Sequence, residues 1–214
     1  MGQVHRVVAL PARYRRAEVS MATGDYATAR RHLSALSEGI ASGSIPVTFA
    51  AFLPFGEGQL ARLEGRDQSA SGYLRGALAS DFASKMDEMR VQALAGLATI
   101  EGASGSAKRA RELLGQCLND DLLRYSMPLT MVIATLAELL VNADAETAIE
   151  LGALASSFRN RSWFKAMYGP DEVRITAVLE CERVERGIAP PGTFPDLTPA
   201  EAVARCREAL ALIS

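Results

Sequence analysis

Histidine and aromatic side chains are scarce: the 214 residues include two His, one Trp, five Tyr and seven Phe. His5 and His32 leave almost nothing that titrates near neutrality without perturbation, and two such residues make no metal cluster. Cys117, Cys181 and Cys206 lack the paired short spacings of a zinc site and the density of a disulfide framework. A reducing cytoplasm suits them. The charges nearly cancel, 23 Lys plus Arg against 25 Asp plus Glu, so no overall field recruits a polyanion. Arg13, Arg15, Arg16, Arg30 and Arg31 have no interleaved rings to stack bases, so they read as a solvated helix face and no direct nucleic-acid contact is expected. The longest candidate span, Met127 to Val141, has 15 residues and carries Glu138, short of the roughly 20 apolar residues a bilayer demands. Val7 to Leu10 is too short for the core of a signal peptide. Neither a membrane partner nor a secretory leader is expected.

Catalytic signatures are also missing. There is no G-x-S-x-G elbow, no H-E-x-x-H helix and no G-x-x-x-x-G-K-[ST] phosphate loop. Gly56-Glu57-Gly58 lacks the third glycine of a dinucleotide fingerprint. Acidic groups such as Asp87 with Glu88, Asp120 with Asp121, Asp171 with Glu172, and Glu180 with Glu182 and Glu185 read as caps or solvated faces, because adjacent helical positions point in different directions. The expectation is a protein that is not an enzyme and uses no metal or cofactor.

What the chain has in abundance is alanine, 36 residues, and leucine, 25, within a composition that is 49% hydrophobic and 22% charged. Good helix formers dominate and β-branched residues are sparse, which predicts an all-α fold. A repeat of about forty residues supports this. Gly24-Asp25-Tyr26-Ala27-Thr28-Ala29, Gly65-Arg66-Asp67-Gln68-Ser69-Ala70 and Gly105-Ser106-Ala107-Lys108-Arg109-Ala110 each place Ala five residues after Gly. Leu33, Leu74 and Leu114 follow each Ala by four residues, and Leu36, Ala77 and Cys117 come three later. A small residue, Ala17, Gly58 or Ala98, precedes each Gly by seven. A weaker fourth copy has Ala143 in place of Gly and Ala148 at the Ala position, and the key alanines are 41, 40 and 38 residues apart.

A Gly that adopts a left-handed conformation can end one helix, and the polar residue after it can cap the next. The small residue lies two turns back on the first helix, and the Ala and Leu positions share a face of the second, so the two helices can approach closely. The predicted pairs are 12–23 with 26–38, 48–64 with 68–80, 86–102 with 106–118, and 128–142 with 145–157. Gly169-Pro170-Asp171-Glu172 opens a further helix to Gly187. Beyond a Pro-rich connector, Thr198-Pro199-Ala200-Glu201 starts a last helix with a capping box. One domain over 1–214 is expected, with four repeats over about 12–157 and capping helices over about 158–214.

The Gly-Asp-Tyr-x-x-Ala string, with small residues before it and Leu after it, resembles the tetratricopeptide repeat, although the period exceeds the usual 34 residues. Long-period arrays of this kind close large bacterial signal-transduction ATPases and LuxR-type activators. The run Ala148-Ile149-Glu150-Leu151-Gly152-Ala153-Leu154-Ala155, then Ser162-Trp163, then the terminal helix from Leu197 is similar to that closing segment. The resemblance implies an α-α superhelix of about five hairpins, acting as a sensor or assembly part of a transcription regulator and binding a protein or peptide partner. The other reading is a receptor for a small molecule or peptide held in the concave groove. By analogy, the first helices would line that groove with Tyr14, Glu18, Met21, Phe55, Gln59, Arg62, Gln92 and Thr99, leaving Arg75 outside. Phe158, Trp163, Phe164 and Tyr168, interleaved with Arg159, Arg161 and Lys165, either fill the space where the stack ends or form an aromatic, cationic pocket; packing is the preferred reading.

Overall fold

Left-handed glycines punctuate the chain. Gly24, Gly65 and Gly105 have φ of 79°, 71° and 83° in the computed structural model, which describes residues 12–80, 87–119, 126–161, 169–191 and 197–213. At each corner the residue after Gly donates its N–H to the carbonyl five residues back: Asp25 to Ser20 at 2.9 Å, Arg66 to Ala61 and Ser106 to Glu101 at 2.8 Å. The key alanines then make early helical bonds beyond the corner, Ala29 to Asp25, Ala70 to Arg66 and Ala110 to Ser106. All three are fully buried, so a larger side chain would push the hairpin apart.

These corners join α1 (Ala12–Ala22) to α2 (Tyr26–Ala41), α3 (Phe52–Leu63) to α4 (Asp67–Ala79), and α5 (Asp87–Ala103) to α6 (Ala107–Leu118). A fourth hairpin pairs α7 (Ser126–Leu140) with α8 (Ala145–Arg161). Its corner differs. Without glycine, Ala143 and Asp144 both donate to the Leu140 carbonyl, at 2.9 and 2.7 Å, a turn that avoids the roughly 1–2 kcal/mol an alanine incurs in the left-handed region. The expectation that the polar residue caps the second helix holds for Asp25, which accepts from Thr28 N at 3.0 Å, and for Asp144, which accepts from Thr147 N at 3.1 Å. It fails at Arg66 and Ser106, whose side chains make no cap bond.

The small positions do what close approach requires. Ala17 and Ala98 are fully buried, and a Cβ on Gly58 would stand 2.7 Å from Leu74 Cδ2 and 3.2 Å from the Leu74 nitrogen. Helix α3 starts four residues later than the pattern predicts, because a 3-10 turn occupies Val47–Ala51. Pro54 thereby falls in the first turn of α3, where its missing N–H has no intrahelical partner to lose.

Each hairpin packs on the next, α1 and α2 against α3, α3 and α4 against α5, α5 and α6 against α7. One buried apolar cluster runs from Tyr14 to Ile213 and draws on all ten α-helices of the described residues, which contain no strand. The fold is all-α. Two further helices complete it. In α9 (Gly169–Glu185), another glycine corner at Gly187, φ 64°, stops the helix with Ile188 N bonded to the Arg183 carbonyl at 3.0 Å. In α10 (Pro199–Leu210), Thr198 and Glu201 form the predicted capping box, with Thr198 N donating to Glu201 Oε2 at 2.7 Å. Helix α10 lies against α6, α7 and α8, where Arg207 donates to the Leu118 carbonyl at 2.7 Å. Helix α9 lies against α7 and α8 and reaches α1 with its first turn.

Candidate interaction surface

The last turns of α1, α3 and α7 converge on the beginning of α9. Arg62, in the last turn of α3, donates Nη1 to Asp171 Oδ1 at 2.8 Å and Nη2 to Asp171 Oδ2 at 2.7 Å, a planar fork across 109 residues of sequence. Both side chains are buried, with 5% and 9% of their surface exposed. Two charges are removed from water here, which is tolerated only when they pair with good geometry and further hydrogen bonds. The further bonds are present. Arg62 Nε donates to Gln59 Oε1 at 3.0 Å, and Gln59 is held in turn by donating Nε2 to the Gln92 carbonyl of α5 at 3.4 Å.

Around this pair lies a partly exposed shell. Arg174, one turn along α9, pairs with Glu138 of α7 and donates to Asp171 Oδ1 at 3.4 Å. Burial, and then the neighbouring Arg62 cation, lowers the Arg174 pKa. Tyr26 is pushed upward by burial and by the Asp171 charge. Backbone approach is close as well: a Cβ on Gly96 of α5 would stand 3.4 Å from Gln59 Nε2 and 3.6 Å from Arg62 Cδ. Pro170 of α9 lies 3.8 Å from the Cβ position of Gly24. Farther along, Leu179 fills the place that a side chain on Gly152 of α8 would take.

The eight residues expected to line a groove separate into three groups. Tyr14, Met21 and Phe55 are in the core, each at most 1% exposed. Tyr14 packs against Phe52 with ring centroids 5.3 Å apart, and its ring lies 3.1 Å from the Cβ position of Gly56, so it belongs to the α1–α3 interface rather than to a surface. Gln59 and Arg62 are buried rather than exposed in a groove, Arg62 against Asp171 of α9 and Gln59 between Arg62 and the Gln92 carbonyl of α5. Glu18, Gln92 and Thr99 are partly exposed, Glu18 paired with Arg15 at 2.8 Å and Thr99 donating to the Ala95 carbonyl at 3.2 Å. Phe158 is 2% exposed and joins the core, while Trp163, Phe164, Lys165 and Tyr168 lie outside the described residues. Arg75 is exposed and paired with Glu101 at 2.8 Å.

The arginine group near the beginning is largely engaged. Arg15 pairs with Glu18, Arg30 with Glu64, and Arg31 donates to Thr28 Oγ1 at 2.7 Å. Clefts open at the surface in more than one place. One of about 390 Å³ lies between α8 and α10, lined by Glu150, Leu154, Arg205 and Leu212 among others, and one of about 410 Å³ lies along α2 beside Arg30, Arg31 and Glu38. Among the described residues no three His, Cys, Asp or Glu side chains are grouped to hold a metal ion, and no helix is long and apolar enough to cross a membrane. No family model matches this chain, and neither a curated protein nor a solved structure does so.

Sequence reasoning singles out Arg62 but misses its partner. Asp171 reads as a first-turn acid that complements the helix dipole, a role that needs no burial. The signal that distinguishes it is the Gly169-Pro170 start, which brings the helix opening up against the Gly24 corner; local spacing carries no trace of the 109-residue connection.

Proposed function

We propose that this chain is a non-catalytic interaction module built as a tetratricopeptide-like superhelix, and that it serves as the sensor or assembly part of a bacterial transcription regulator. The observation that carries the reading is the recurrence of one corner. Gly24, Gly65 and Gly105 share a positive φ, the same back-donated N–H and a buried Ala five residues on. Equivalent units stacked in register bury a continuous core and leave long helical surfaces, which suit extended contact with another protein. The regulator setting rests on the resemblance of the closing segment from Ala148 onward.

The test joins a binding measurement to a genetic one. Tagged full chain is expected to retain a protein partner from its own cells at fixed stoichiometry, competed away by untagged chain. A regulator ATPase encoded in the same reading frame is the expected neighbour. A chain that stays without a partner, in a coding neighbourhood with no such module, overturns the reading.

A further inference from the structure

Helix α9 is held by the rest of the molecule as a ligand is held. One stripe of it is buried, Asp171, Ile175 and Leu179 at successive intervals of four, whereas Val173 and Val184 are 71% and 63% exposed. It packs most extensively on α8, the helix before it in the chain, and its first two turns also meet α1, α3 and α7, helices of separate hairpins. The groups that meet it are oriented from outside α9. Gln59 is anchored to the Gln92 carbonyl and fixes Arg62 through Nε, which leaves both terminal nitrogens of the guanidinium directed at one carboxylate. Such a preset fork recognises a carboxylate by geometry as well as by charge. Gly152 leaves room for a branched apolar side chain two turns beyond that carboxylate.

We propose that the face which α1, α3, α7 and α8 present to α9 is a receptor for a helix bearing a carboxylate in its first turn, that Arg62 is the anchor, and that α9 occupies this place until a partner helix of the same chemistry displaces it. The proposal deepens, and rests on, the reading of the chain as an interaction module. The partner it specifies carries Asp or Glu in its first turn and apolar side chains four and eight residues later, the pattern of Asp171, Ile175 and Leu179. A buried ion pair adds selectivity more readily than stability, which suits an exchangeable occupant. Its intramolecular position gives α9 a high effective concentration, so a free peptide competes poorly until the internal contact is weakened.

The probe is a fluorescein-labelled peptide of residues 169–187, measured by anisotropy against full chains. Asp171→Ala, which loosens α9 but keeps Arg62, is expected to bind the peptide about tenfold more tightly than the unaltered chain. Arg62→Ala loosens α9 equally by hydrogen exchange but is expected to bind no peptide, and a peptide with Asp171→Asn is expected to bind none of the chains. Leu179→Ala is the second route to a loosened α9, and it too is expected to capture the peptide should Asp171→Ala fold poorly by circular dichroism. Equal binding to the Asp171→Ala and Arg62→Ala chains overturns the proposal, as does unchanged protection of α9 amides in every variant. Dimers of the unaltered chain that exchange α9 would make a second copy the occupant and overturn the partner-helix form. A protein partner that binds unaltered and Arg62→Ala chains equally removes this inference and leaves the interaction-module reading standing; peptide capture without any protein partner overturns both.

Discussion

Removing either member of the Arg62–Asp171 pair leaves the other charged and buried, and the loss is expected to be large but bounded. The side chains are 5% and 9% exposed and joined by bonds of 2.8 and 2.7 Å, so solvent cannot substitute for a missing partner while α9 stays docked. Breaking such a pair on one side costs about 3–5 kcal/mol. An alternative response is for α9 to leave, which lets the group left behind, Arg62 or an Asp171 still bonded to Arg174 at 3.4 Å, return to water. That route forfeits the burial of Ile175 and Leu179, 6% and 8% exposed, at about 1.5–3 kcal/mol each. The two costs overlap, so undocking competes with tolerating the charge. Arg62→Ala and Asp171→Ala should therefore each lower the urea-unfolding free energy by about 3–5 kcal/mol, and the double variant should lose no more than the worse single one. A smaller m-value in the single variants would show that α9 had already left the folded state, since less surface then remains to be exposed. Replacement by Arg62→Met with Asp171→Leu should be close to neutral, because neither charge is then buried. Additive losses below about 1 kcal/mol, the size typical of an exposed pair, would refute the buried-fork argument.

Three other outcomes follow from local geometry. Gly72 and Gly76 lie on the exposed face of α4 with nothing within 4 Å of where a Cβ would stand, so alanine at each should raise stability by about 0.5–1 kcal/mol; Gly65→Ala, at φ 71°, should lower it by about 1–2 kcal/mol, and thermal melts of the three variants provide the comparison. Cys181 is exposed whereas Cys117 and Cys206 are buried, and burial pushes the Cys206 thiol up to about 12; a chromogenic disulfide should titrate one thiol in the folded chain and three in denaturant, the native reaction slowed because the Glu185 bond and charge raise the Cys181 thiol. Acid should act in two stages. Burial holds the Glu57 pKa above the ordinary value, so its protonation as pH falls through that raised value favours the folded state. Hydrogen bonds at the caps hold Asp25 and Glu201 below their ordinary values, and the stability they contribute is lost only as pH falls through those lower values. Glu57→Gln should abolish the first stage in melts run from pH 7 to pH 3 and leave the second.

Features that depend on residues a few positions apart are legible in the sequence. The Gly24, Gly65 and Gly105 corners, the buried Ala17, Gly58 and Ala98, and the Thr198 capping box all arise from interactions within one hairpin or one turn, and their spacing encodes them. The fourth corner shows the limit even locally, since Ala143 stands in the glycine position without taking a glycine's conformation. The surface is far less legible. Periodicity tells which residues share a helix face but not which neighbour covers that face. Analogy places Tyr14 in a groove, yet Gly56 offers it a slot in the adjacent helix, and a ring fills such a slot more favourably than it faces water.

Arg62 is visible in the sequence, but its role is not. A basic residue in the last turn of α3 is favourable for the helix dipole whether or not anything else meets it. Only the return of the chain across the ends of α1, α3 and α7 makes it a buried anchor. That return depends on Pro170 against Gly24, on Leu179 against Gly152 and on Asp171 itself, three contacts with three different helices or corners. Each is weak as a local signal, because proline and aspartate near a helix start, and leucine within a helix, are common for other reasons. Their coincidence on one helix gives them meaning, and it implies a simple ordering: the hairpin stack forms the receiving surface, and α9 docks on a surface whose Gln59–Arg62 geometry is already fixed by α5. Hydrogen exchange should accordingly show α9 opening at lower free energy than α3 or α5 in the unaltered chain; protection of all three helices to the same degree would make α9 part of the stack's own cooperative unit.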